Sequence, residues 1–144
     1  MTFGRKEILA AVAVLAVATL IVVPVVLSSN RKHRRDEVPR TVDAIRQAEI
    51  DYHDAFGDYV SAEAAPRLPH AVGPDAVPWK PTEGFRKLSF GPDVESVYGS
   101  YQVQAEPDGF KVVGTCDVDG DGERAVFEAT LAEPARAVTA AGVY

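Results

Sequence analysis

Acidic residues recur at alternate positions in the segment from Asp117 to Glu128. The segment reads Asp-Val-Asp-Gly-Asp-Gly-Glu-Arg-Ala-Val-Phe-Glu and matches the pattern D-x-D-x-D-G-x5-E. Alternate carboxylates, a glycine at the sharp turn and a distal carboxylate suit a calcium ion, which takes about six to eight oxygen ligands. The pattern predicts calcium as a cofactor, held by these groups: the side chains of Asp117, Asp119, Asp121 and Glu128 and the carbonyl of Glu123.

The flanks of this segment differ from those of a helix-loop-helix calcium site. The residues before it, 110–116, are β-rich, and a strand from Arg124 to Leu131 would turn Glu128 away from the loop. Asp and Gly also tolerate the positive φ angles of tight turns. A metal-free hairpin turn is therefore the alternative interpretation.

The sequence contains no catalytic motif. His33, His53 and His70 stand in unrelated surroundings without zinc-site spacing, and the one cysteine, Cys116, has no nucleophile motif around it. No phosphate-binding or dinucleotide-binding glycine loop is present. We therefore expect neither an enzyme nor a small-molecule substrate. We expect Cys116 to be a small buried residue, with an unpaired reactive thiol as the alternative.

Charge is distributed unevenly along the chain. Residues 1–40 carry a net charge of +4 and residues 41–144 a net charge of −10. An acidic body repels phosphate backbones, so no nucleic-acid partner is expected. The basic cluster at residues 31–35 would suit the edge of a membrane, where its long side chains contact lipid head groups.

The longest apolar segment runs from Ile8 to Leu27 and contains no charged or amide side chain. As a helix rising about 1.5 Å per residue, it would span the roughly 30 Å hydrocarbon core of a bilayer. We therefore expect residues 1–30 to form a transmembrane anchor and residues 31–144 one soluble domain. A cleaved signal peptide, with Ser28 and Ser29 near the cleavage point, is the alternative.

The chain is predicted to stay helical after the anchor. Apolar residues recur at spacings of three and four along one stripe: Val38, Val42, Ile45, Ala48, Tyr52, Phe56 and Tyr59. The other face is expected to be solvated and carries Asp43, Arg46, Glu49, Asp54 and Asp58. Pro39 is expected to kink the helix or restart it, with Thr41 as the cap.

The second half of the sequence predicts strands. Three candidates are Tyr98–Ala105, Phe110–Val118 and Arg124–Leu131, separated by turn sequences rich in Asp and Gly. Residues 61–84, with five prolines, are expected to be an irregular connection. The predicted fold class is α+β: a long N-terminal helix, transmembrane in its first half, packed on a three- or four-stranded antiparallel β-meander.

A helix of this kind ahead of a meander resembles the type IV pilins and pseudopilins. Mature pilins begin with Phe and carry Glu four residues later and Pro twenty-one residues later, and Phe3, Glu7 and Pro24 have this spacing. Other stretches resemble pilin-like proteins of the delta-proteobacterial and myxobacterial type: Ala44–Glu49 with Tyr52, Tyr98–Val103, and Gly114–Gly122 followed by Phe127.

The resemblance implies a structural subunit of a type IV pilus or a type II secretion pseudopilus. Its hydrophobic helix would pack against other pilin-like subunits, with Phe3, Glu7 and Pro24 acting in assembly. It also implies a single-pass protein of the cytoplasmic membrane, in contact with lipid and with its domain outside, or an extracellular filament. Some pseudopilins bind calcium near their C-terminal loops.

The chain departs from the pilin pattern in two places. Thr2 stands where prepilins have Gly before the Phe, and Arg5 and Lys6 lie in a stretch that is usually apolar or hydroxyl-bearing. The basic residues after the anchor would by themselves favour a cytoplasmic domain. The alternative function is therefore a non-polymerising, membrane-anchored envelope protein whose domain binds calcium or a partner.

Overall fold

The computed structural model describes residues 5–144, and their side chains from residue 27 onward. One long helix, α1 (Arg5–Phe56), precedes a head built mainly of strands. The further elements are β1 (Ala62–Ala65), a 3-10 turn (Pro69–Ala71), β2 (Val77–Pro78), α2 (Glu83–Lys87), β3 (Ser96–Val97), β4 (Ser100–Glu106), β5 (Gly109–Cys116), β6 (Ala125–Thr130) and β7 (Arg136–Ala137).

The head is organised around a five-stranded sheet with the strand order β1-β4-β5-β6-β7, in which every neighbouring pair is antiparallel. Strands β2 and β3 form a separate two-stranded ribbon. The predicted α+β class, with a long helix packed on an antiparallel sheet, is confirmed. The three predicted strands correspond to β4, β5 and β6. The expected count of three or four strands is too low, because the short edge strands β1 and β7 bring the sheet to five and β1 lies within residues 61–84, which were expected to be irregular.

The apolar stripe of α1 packs on the central strand β5. Val38, Val42 and Ile45 are completely buried, and the facing positions of β5 are buried as well. Gly114 lies at the point of closest approach. A Cβ atom on this residue would come within 2.5 Å of a Val42 methyl carbon and 2.9 Å of a Val38 methyl carbon. The helix can sit this close to the sheet because position 114 has no side chain.

The helix passes through Pro39 without a break. Thr41 is not a cap, since its hydroxyl donates to the carbonyl of Glu37 at 3.1 Å, one turn back along the same helix. The helix ends at Gly57, which has a φ of 81° and donates its N–H to the His53 carbonyl at 2.7 Å. A left-handed glycine just after the last turn is a common helix C-terminus.

The predicted membrane localisation needs correction. Residues 8–26 of the expected anchor lie outside the residues whose side chains are described. In the part of the chain that is described, no helix is both long and apolar enough to cross a bilayer. From Arg31 onward α1 carries many charged side chains. The single-pass localisation in the cytoplasmic membrane is therefore not supported.

We expect the substitution Gly114→Ala to lower the free energy of unfolding by about 1–3 kcal/mol, because the new methyl group overpacks the contact with Val42 and Val38. The matched control is Gly91→Ala, where a Cβ would have nothing within 4 Å, and its effect should stay within about 0.5 kcal/mol. Urea unfolding of both variants tests this expectation. Equal effects at the two positions would contradict the proposed close contact.

Candidate functional site

The acidic segment forms the connection between two central strands. Strand β5 ends at Cys116 and β6 begins at Ala125, and these two residues are the last pair of the β5–β6 ladder. Residues 117–124 therefore close a hairpin. Buried residues recur along both strands and hold the β5–β6 ladder in register up to the pair Cys116–Ala125. Asp117 is the first residue after this pair.

Asp117 organises the loop from inside. Its side chain is buried, with 5% of the residue exposed, and both carboxylate oxygens accept main-chain hydrogen bonds. One oxygen accepts the N–H of Gly120 at 2.8 Å and the other accepts the N–H of Gly122 at 3.1 Å. Both glycines have positive φ angles, 73° and 89°, which residues with a Cβ adopt only at a cost. The Asp/Gly sequence is thus explained by the turn itself.

Two more aspartates join Asp117. One carboxylate oxygen from each of Asp117, Asp119 and Asp121 lies within 4.8 Å of the others. Calcium–oxygen distances of about 2.3–2.6 Å place opposite ligands roughly 5 Å apart, so these three oxygens have a separation that suits such an ion. One oxygen of Asp119 is buried without a hydrogen-bond partner among the described residues. Asp121 is exposed and accepts the N–H of Glu123 at 2.8 Å.

The structure does not bring Glu128 to this cluster. Glu128 lies on β6 opposite Val113, and its carboxylate is 3.2 Å from the Lys111 ammonium group. The side chain of Glu123 is exposed, and its N–H contacts Asp121. Three of the four predicted side-chain ligands therefore lie together, and the Glu123 carbonyl, the fifth predicted ligand, remains a prediction. Any bound calcium ion would need its remaining oxygens from water or from main-chain carbonyls.

The acidic loop lies beside the region where α1 enters the head. A Cβ on Gly120 would be 3.3 Å from the Pro74 ring, and the Pro74 carbonyl accepts a hydrogen bond from Arg34 at 3.3 Å. The Arg34 guanidinium also lies 5.3 Å from the centre of the Tyr98 ring. Arg35 lies 5.0 Å from the Phe127 ring centre. These two arginines, expected at a lipid surface, contact the head instead.

The thiol of Cys116 is completely buried. Burial raises its pKa from 9.0 to about 12, so the thiol stays protonated at neutral pH. The expectation of a small buried residue is confirmed. No nucleophilic role follows from this environment.

Glu49 was expected on the solvated face of α1, and this expectation is wrong. The residue is 0% exposed; one carboxylate oxygen accepts the Val60 N–H at 3.0 Å, and the other has no partner among the described residues. Burial raises the pKa of Glu49 from 4.5 to about 7, against a smaller lowering by the Val60 N–H. Glu49 lies four residues after Ile45 and seven after Val42, so helical spacing places it on the buried stripe. This spacing is the signal in the sequence that predicts its burial.

Comparison with known proteins found no matching family model, curated protein or solved structure for this chain. The proposed assembly residues Phe3, Glu7 and Pro24 lie outside the residues whose side chains are described. The resemblance to pilins therefore remains a hypothesis drawn from the sequence.

Glu49 gives the stability of the head a specific pH dependence. Its folded-state pKa is raised, so the native state binds its proton more tightly than the unfolded chain. Stability is greatest below a pH of 4.5 and falls as the pH rises to about 7. The loss amounts to at most about 3 kcal/mol.

Urea unfolding at about pH 5 and about pH 8 measures this loss in the native chain, in Glu49→Gln and in the exposed control Asp54→Asn. Glutamine keeps an acceptor for the Val60 N–H and cannot ionise, so this variant should lose the Glu49 contribution. Asp54→Asn should behave like the native chain. If Glu49→Gln shows the same pH dependence as the native chain, Glu49 is not the responsible group.

Proposed function

We propose that this protein is a structural subunit of a pilin-like filament, of the type IV pilus or type II secretion class. The observation that carries the proposal is the extension of α1 beyond the head. The helix begins at Arg5, whereas its buried stripe begins only at Val38. Residues 27–33 are exposed to solvent. A helix whose residues 27–33 are left uncovered by its own head is suited to packing against neighbouring copies.

Packing between helices would provide the force for assembly. The sequence from Ile8 to Leu27 has no charged side chain, and burying such a surface between helices is favourable at roughly 25 cal/mol per Å². The head would then form the outer surface of the filament. The spacing of Phe3, Glu7 and Pro24 supports the same role by resemblance. This function requires no catalysis.

The test is self-assembly of the purified full-length chain, kept dispersed in a non-ionic detergent and then dialysed. We expect sedimentable filaments visible by electron microscopy. The substitution Leu15→Glu should reduce the sedimenting fraction at least about tenfold, because it buries a charge between helices. The control Leu68→Glu makes the same change on the head, where Leu68 is 56% exposed, and should assemble normally.

Two results would count against the filament. The native chain could remain monomeric at every concentration tested. Alternatively, Leu15→Glu and Leu68→Glu could assemble to the same extent, which would show that the uncharged helix does not hold the polymer together.

Calcium binding by the acidic loop is a second candidate function. The observation that favours it is the convergence of the Asp117, Asp119 and Asp121 oxygens within 4.8 Å. Three carboxylates at this distance repel one another unless a cation lies between them. Bound calcium would stabilise the β5–β6 hairpin and, through Pro74, the junction of the head with α1.

We expect calcium up to about 10 mM, the range of weak structural sites, to raise the melting temperature of the full chain. A concentration about 100 times the dissociation constant adds about 2.7 kcal/mol, which corresponds to about 5 °C or more at this size. The substitution Asp119→Asn should abolish the increase, since Asp119 supplies the unpartnered oxygen.

The matched control is Asp108→Asn, which removes an exposed carboxylate in the β4–β5 turn. This variant should respond to calcium like the native chain. Magnesium at the same concentration controls for general ionic effects. An unchanged melting temperature of the native chain, or an equal response of the two variants, would exclude the acidic loop as a calcium site.

A further inference from the structure

The C-terminal end of α1 carries an unusual concentration of negative charge. Asp51 and Asp54 lie in its last two turns, Asp58 follows the helix directly, and all three are exposed. The carbonyl end of a helix is the negative end of its dipole, where an acidic side chain is unfavourable by about 0.3–1 kcal/mol. The only basic side chain in the last turn is His53.

These carboxylates have few partners in their own chain. Asp51 accepts a hydrogen bond from the Gln47 amide at 2.8 Å. Asp54 and Asp58 take part in no hydrogen bond or ion pair with a described residue. The ion pairs among residues 27–144 lie elsewhere, on the sheet and after β6. Lys87 of the same copy reaches this end of the helix, where its ammonium group lies 5.7 Å from the centre of the Tyr52 ring, next to Asp51. The fold of one copy therefore compensates the charge near Asp51 in part and leaves Asp54 and Asp58 without a basic partner among the described residues.

Positive charge is exposed at the other end of the described part of α1. Arg31 and Lys32 are exposed and lie just before the residues that pack on the head. Unlike Arg34 and Arg35, they contact no described part of the head through a hydrogen bond, an ion pair or an aromatic ring. The same helix thus presents a basic segment and an acidic segment.

The two segments cannot meet within one molecule. Twenty-two residues separate Lys32 from Asp54, and at 1.5 Å per residue a continuous helix holds them about 33 Å apart. We infer that the acidic end of α1 (Asp51, Asp54 and Asp58) binds the basic segment (Arg31 and Lys32) of a second copy of this chain. The two α1 helices then run parallel, displaced along their axes by about 33 Å.

A second copy is the partner because this one chain supplies both charge patterns. The contact joins different surfaces of the two copies, so one copy keeps its basic segment and the other keeps its acidic segment for a further neighbour. Contacts of this heterologous kind generate open filaments when the rotation does not close a ring. The inference rests on the proposed filament function and specifies the register of one pair of neighbouring subunits. A shift of 22 residues exceeds the 20 residues of Ile8–Leu27, so the uncharged segments of this pair do not overlap and would pack against other copies in the filament.

Charge reversal tests the contact in the full-length chain. Lys32→Glu alone or Asp54→Lys alone should raise the protein concentration needed for assembly about tenfold, equivalent to about 1.4 kcal/mol. Mixing the two single variants offers each one a complementary neighbour, so the mixture should assemble at a lower concentration than either variant alone. The double variant restores the pairing in every copy and should assemble near the native concentration. Added salt should weaken native assembly.

Cysteine cross-linking tests the register. The cysteines are placed next to the contact so that its five charged residues are kept. His33→Cys and Ala55→Cys in one chain, at exposed positions with the same spacing as Lys32 and Asp54, should give oxidised dimers and longer ladders, whereas His33→Cys with Asp108→Cys should not. Cys116 is buried and does not interfere. If filaments form but neither the cross-links nor the charge effects appear, the register is wrong and the filament function stands. If no variant and no native chain assembles, both proposals are wrong.

Discussion

The close contact between α1 and β5 at Gly114 determines the arrangement of the head. The side chains of Val38 and Val42 occupy the space above this residue, and any Cβ there would overlap them. Burial of the stripe removes apolar surface from water and attaches the helix to the centre of the sheet. Because β5 continues from this contact to Cys116, the same packing also sets the position of the acidic loop that follows.

Polar contacts on both flanks fix the rotation of α1, which apolar packing alone leaves undetermined. Arg46 donates to the carbonyls of Thr130 and Leu131 at 2.7 and 2.8 Å, and Asp43 accepts the Ala135 N–H at 2.7 Å. On the opposite flank, a Glu37 oxygen accepts the Tyr98 N–H at 2.8 Å. These hydrogen bonds satisfy main-chain N–H and C=O groups at the ends of strands and in the loops that follow them. The helix and the edges of the sheet therefore stabilise each other.

The sequence predicts those parts of the structure that depend on residues close together in the chain. Strands β4, β5 and β6 follow from apolar alternation and turn residues, whereas β1 and β7 have four and two residues and depend on pairing with the sheet. The three aspartates follow from their spacing. Glu128 does not join them, because on β6 its carboxylate pairs with the Lys111 ammonium group. The residue type of Glu49 favours exposure, but its helical position, in phase with Val42 and Ile45, buries it.

The rigidity of α1 keeps its basic and acidic segments apart. In a flexible chain, basic and acidic segments find each other and neutralise within one molecule. A continuous helix keeps Lys32 and Asp54 about 33 Å apart, and the head anchors only the part of it from Val38 onward. Both segments therefore stay available to other molecules. The continuous helix, held against the head at Gly114, keeps the two segments from pairing within one copy, and in the proposed filament they would pair between copies.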